Sequence, residues 1–119
     1  MENLMIAKIL IALIALLHVY FFVLEAFLWT KPKGLKVFSM NLDHAKKTKT
    51  LALNQAVYNL FLSAGLIYSL ICTNPEVARA FSLFNLSCVV LAGIVGGLSV
   101  SKTIFFIQAV PAILALVFL

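Results

Sequence analysis

From Ile9 to Leu28 the sequence is almost uninterruptedly apolar, broken only by His18 and Glu25. About 20 apolar residues are what a helix needs to cross the roughly 30 Å hydrocarbon core of a bilayer. The run is too long for the apolar stretch of a secretory signal, and no small-residue cleavage site ends it. It reads as a retained transmembrane helix over about Leu4–Thr30, with Trp29 at headgroup level. The rest of the chain follows suit. Of 119 residues, 64% are hydrophobic and 11% charged, against about 25% charged in a soluble domain. A soluble fold of this size could not bury that much apolar surface, because small domains bury the smallest share of their chain.

Turn and cap signals divide the remainder. Lys31-Pro32-Lys33-Gly34 stops the first helix, and a polar, basic stretch follows to Lys49. Asn41-Leu42-Asp43-His44 can cap a juxtamembrane turn leading into a second helix, about Lys46–Ile71. Asn74-Pro75-Glu76 is a turn whose proline suits the first position of a third helix, about Glu76–Leu98. A fourth runs from about Lys102 to Leu119, with Pro111 expected to kink it and free a carbonyl. The expected fold is all-α: one domain, a four-transmembrane-helix bundle of antiparallel up-down topology.

Charge sets an orientation. Six of the nine basic residues fall between Lys31 and Lys49, and Lys102 joins them on the same side; Lys8 and Arg79 fall on the other. Basic residues concentrate in cytoplasmic loops, so both termini are expected outside the cytoplasm. The net charge of +5 is thereby a topology signal, and nucleic acid is not an expected partner.

Polar groups inside a membrane span are costly, usually face the bundle interior, and are functional candidates by default. His18 and Glu25 are seven apart on one helix face, a stripe that Phe22 and Trp29 extend. The second helix offers Asn54, Gln55, Tyr58 and Asn59, the third Asn85, the fourth Gln108. Counted from the cytoplasmic helix ends at 1.5 Å per residue, Glu25, Asn54, Gln55 and Gln108 all lie roughly 8–9 Å deep. His18, Tyr58, Asn59 and Asn85 lie roughly 14–20 Å deep. Such matched depths predict one polar cavity opening toward the cytoplasm. For each amide the bland reading is a hydrogen bond that ties helices together. Glu25 is hardest to dismiss, because a membrane-embedded carboxylate costs on the order of 3 kcal/mol. Gly93 and Gly97, with Ala92 and Gly96, form a small-residue stripe that permits close helix approach. Cys72 and Cys88 match no metal motif, and no second histidine lies within a span beside His18. No metal or cofactor is expected.

The runs Leu24-Glu25-Ala26-Phe27-Leu28-Trp29 and Leu53-Asn54-Gln55-Ala56-Val57-Tyr58-Asn59, with Gln108 before Pro111-Ala112, resemble a family of small bacterial four-helix membrane proteins. That family is the domain of unknown function numbered thirteen-oh-four. The resemblance implies four helices and the bacterial inner membrane, and supplies no substrate or reaction. On the residues alone, the leading expectation is a binding protein or carrier for a small polar or cationic molecule, open to proton coupling. Glu25 would be counter-ion and proton site, His18 a relay, Tyr58 and the amides orienting groups, and Phe22 or Trp29 a stacking surface. So small a bundle favours a homodimer. One alternative is a quinone-binding or redox-linked protein, though there is no haem pair, flavin motif or CxxC. Another is a structural or accessory subunit. None of these requires an enzyme.

Overall fold

A long helix that is apolar nearly all round, without a charged face, is what lipid selects. A computed structural model describes residues 2–119 and contains such helices. The elements are α1 (Glu2–Ala26), α2 (Pro32–Val37), α3 (Leu42–Ile71), α4 (Pro75–Ser99), α5 (Lys102–Ile104), a π-helical turn (Phe105–Ala109) and α6 (Val110–Phe118). No strand occurs among the described residues. Three of the helices, α1, α3 and α4, are long and apolar enough to cross a membrane. The segment Lys102–Phe118 is apolar but shorter.

The boundaries differ from the expected ones for local reasons. α1 stops at Ala26, four residues before Thr30. The residue before a proline avoids the helical region, and Gly34 lies so close under the turn that a Cβ there would sit 2.0 Å from the Leu28 carbonyl oxygen. The basic stretch is not a loop. Pro32 starts α2 from the first helical position. It closes through Ser39 in the left-handed region (φ 51°), with the Met40 amide donating to the Leu35 carbonyl. Asn41 then caps α3, its Oδ1 accepting from the His44 amide at 2.8 Å. α3 therefore begins four residues before Lys46 and carries Lys46, Lys47 and Lys49 on its first turns. Asn74 caps α4 as its turn predicts, accepting from the Glu76 and Val77 amides at 3.0 and 3.2 Å.

Pro111 does not simply kink the last helix. A proline at position i removes the bond to the carbonyl at i−4 and crowds it. Here the helix widens just ahead of it, and the Val110 amide reaches back five residues to the Phe105 carbonyl. This is a π-bulge, the form in which helices absorb one extra residue.

The chain divides into two compact units. One comprises the start of α1 through Leu16 together with Leu62–Leu119; the other is Leu17–Phe61. The first has a core of Ile11, Ile14, Ala15, Leu66, Leu86, Val89, Ala112 and Ala115. Ser63 Oγ donates to the Ala15 carbonyl across it at 2.8 Å. Asn85 packs against Gly65, where a Cβ would come within 2.5 Å of its amide. Gly93, Gly96 and Gly97 face Ala109, Ile104 and Phe105 in turn, so α4 and the segment after it run as an antiparallel hairpin. In the second unit Ala45, Ala52 and Ala56 form the buried stripe of α3, with Leu24 of α1 and Gly34 of α2 also buried.

The distribution of side chains is inverted relative to a soluble protein. His18, Ser63, Ser69, Ser82 and Asn85 are buried, while Phe84 is 70% exposed and Leu98 86%. In water such a surface would aggregate; in lipid it is the favourable face.

Candidate functional site

The second unit holds most of the residues singled out by the sequence. Glu25 stands one residue before the end of α1 and is partly buried. Its Oε1 accepts a hydrogen bond from Asn59 Nδ2 of α3. Glu25 makes no ion pair among the described residues. The carboxylate is thus held by a neutral amide, with no cation beside it.

Asn59, not Asn54 or Gln55, meets Glu25. Residues 27–31 are not in a helix. Trp29 Nε1 donates to Thr48 Oγ1 at 3.1 Å, which levels residue 29 with residue 48. From that level Glu25 lies four residues back along the chain and Asn59 eleven residues on along α3, so the two helices do not keep the equal register that a helical count assumes. Asn59 also continues the inward stripe of Ala52 and Ala56 at spacings of 4 and 3.

Asn54, Gln55 and Tyr58 lie on a different face of α3 and are exposed, Tyr58 at 55%. Tyr58 meets Phe61 edge-on, ring centroids 6.0 Å apart. His18 is fully buried, its ring edge-on to Phe21 at 5.5 Å. Phe22, three residues before Glu25, packs edge-on against Phe27 at 5.7 Å. Trp29 meets Phe38 at a tilt, ring centroids 4.9 Å apart and ring planes at 48°. This ring contact and the hydrogen bond to Thr48 fix the indole as the joint between α1, α2 and α3 in this unit.

Two candidates belong to the first unit. Asn85 is buried and donates from Nδ2 to the Phe81 carbonyl of its own helix at 2.8 Å. Gln108 sits within the π-helical turn, half-buried beside Gly96. Cys72 and Cys88 are both free. No group of three or more metal-ligating side chains occurs among the described residues. The sequence reading passed over Thr48 and Ser63. A single hydroxyl in an apolar helix carries little signal, although both fall on the inward stripe of α3 once its phase is known.

A carboxylate fixed by an amide inside an apolar helix pair can do two things chemically. It can accept a proton, or it can balance a cation, with the Phe22 ring one turn away to offer its face.

A family model described as a protein of unknown function (DUF1304) matches residues 12–119. A relative, the uncharacterised protein YpaA of Lactococcus lactis subsp. lactis (strain IL1403), is 31% identical over 113 residues, covering 92% of this chain and 92% of its own. No solved structure matches. Since the family model takes in all but the first turns of α1, and the relative extends along nearly the whole chain, the protein belongs to the DUF1304 family.

Proposed function

We propose that the protein is a multi-pass protein of the bacterial inner membrane that binds a small cationic molecule at Glu25, as a carrier does. The observation that carries this reading is the Glu25–Asn59 pair: a carboxylate in an apolar span, oriented by an amide and without a cation partner among the described residues. Natural membrane proteins rarely keep so costly a group without using it. A carboxylate that exchanges its cation for a proton is also the simplest coupling device, which is why a proton-coupled carrier is the specific form of the proposal.

In this reading Lys102–Phe118 is the fourth crossing. Its 17 residues span about 26 Å, a mismatch that local thinning of the bilayer accommodates. The lysines between Lys31 and Lys49 face the cytoplasm and both termini face out. A second copy of the chain covers Asn54, Gln55 and Tyr58. Amides in a bilayer are poorly served by lipid, and because each both donates and accepts, this exposed face can pair with itself about a two-fold axis.

The test is a melting-temperature screen in an uncharged detergent, with a panel of small alkylammonium and guanidinium cations. At least one should raise the melting temperature of the wild type and leave Glu25→Gln unmoved, since glutamine keeps the bond from Asn59 but not the charge. No stabilisation by any cation, or equal stabilisation of both proteins, would remove the proposal. Light scattering on the same samples should give twice the chain mass for the wild type and a monomer for Asn54→Ala/Gln55→Ala.

A further inference from the structure

Lys8 and Arg79 are the two basic residues that the charge argument treats only as a minority. In the first unit they line one cavity of about 400 Å³, between the start of α1, the end of α3 and the start of α4. Leu4, Ile11 and Leu70 give it an apolar wall. Ser69 and Ser82 also line it, but their hydroxyls already donate to the Leu66 and Ala78 carbonyls at 2.6 and 3.0 Å. They can only accept. Thr73 adds a neutral hydroxyl, and the charged donors in the lining are those of the two cations. Arg79 spends one N–H on the Leu119 main-chain oxygen, at 3.0 Å, of the five a guanidinium carries. No aspartate or glutamate lines the cavity, and neither cation forms an ion pair with Asp or Glu among the described residues.

The geometry points to this cavity as a binding site for an amphipathic anion, a carboxylate or phosphate head on an alkyl chain. Two cations from different helices, with no aspartate or glutamate in the lining and an apolar wall beside them, are complementary to such a molecule. A small hydrophilic anion would leave the apolar wall unused, and a neutral lipid would leave the charges unanswered. The site shares no residue with the Glu25 pair and does not depend on the function proposed for it. The same chemistry is offered by an anionic phospholipid of the surrounding bilayer and by a free fatty acid, so the experiment has an arm for each.

The protein purified in an uncharged detergent is given equal amounts of phosphatidylglycerol and phosphatidylcholine, and retained lipid is read by native mass spectrometry. In parallel its melting temperature is measured with decanoate and with decanol. One outcome in support is preferential retention of phosphatidylglycerol, with Lys8→Gln weakening it roughly tenfold, as loss of one charge-assisted hydrogen bond implies. Arg79→Lys should keep most of it and Lys33→Gln/Lys36→Gln all of it. Stabilisation by decanoate but not decanol, lost in Lys8→Gln, without a lipid preference, supports the site with a free amphiphile as its ligand. Lys8→Gln decides the matter if Arg79→Lys fails to fold, because Lys8 has no ion pair with Asp or Glu to lose among the described residues. No preference for either anionic probe over its uncharged counterpart, or a preference that survives Lys8→Gln, overturns the proposal.

Discussion

At the scale of single residues, the pairing of Glu25 with Asn59 is what the rest depends on. Removing the amide leaves the carboxylate partly buried with its hydrogen bond unmade, and an unsatisfied polar group of that kind costs about 1–3 kcal/mol. Asn59→Ala should therefore lower unfolding stability by that order in a reversible detergent titration, while Asn54→Ala should change it by much less. Equal losses would mean that Asn59 contributes no more than an exposed amide. Glu25 was legible in the sequence because its cost is visible without a structure. Its partner was not, because a depth count assumes equal register of the two helices, whereas residue 29 meets residue 48 and residue 25 meets residue 59. A depth count puts Asn59 in the deeper group, and the close packing of Gly34 under Leu28 that shapes this turn has no signature beyond the glycine itself.

At the scale of elements, the cap and turn residues told most of the story. Asn74-Pro75 starts α4 as its chemistry requires. The start of α3 was harder to read, because a lysine-rich stretch shows no apolar period even where Asn41 caps it and its lysines favour helix. The small-residue stripe of α4 makes a graded prediction. A Cβ at Gly93 would meet the backbone nitrogen of Ala109 at 2.6 Å, whereas one at Gly96 would meet side-chain atoms alone, first the Cγ2 of Ile104 at 2.6 Å. Backbone cannot step aside as a side-chain end can. Gly93→Ala should cost about 1–3 kcal/mol, the range of overpacking, and Gly96→Ala should cost clearly less. Thermal melts of the two variants compare them directly, and a larger loss at Gly96 would contradict the packing described. The π-bulge ahead of Pro111 was only half legible. Proline announces a disturbed helix, but whether the helix bends or widens depends on what packs against it, here Gly93 on Ala109.

At the scale of the whole molecule, the inverted distribution of side chains argues for lipid more strongly than composition alone. Composition gives an excess of apolar residues; the structure places the large ones, such as Phe84 and Leu98, outside and several polar ones inside. The orientation proposed from the lysines has its own check. A reporter fused after Leu119 should be active only outside the cytoplasm and one inserted near Asn41 only inside; the reverse pattern would invert the proposed topology. The binding role of Glu25 is tested most directly through Trp29, the only tryptophan in the chain. It lies in the same unit as Glu25 and is hydrogen-bonded to α3 through Thr48. The measurement is its fluorescence in lipid nanodiscs, titrated with the cation that most stabilises the protein. A saturable change in the wild type, a weaker affinity in Asn59→Ala and no change in Glu25→Gln are the predicted result. An unaltered titration in Glu25→Gln, or a wild type that shows none, would contradict it.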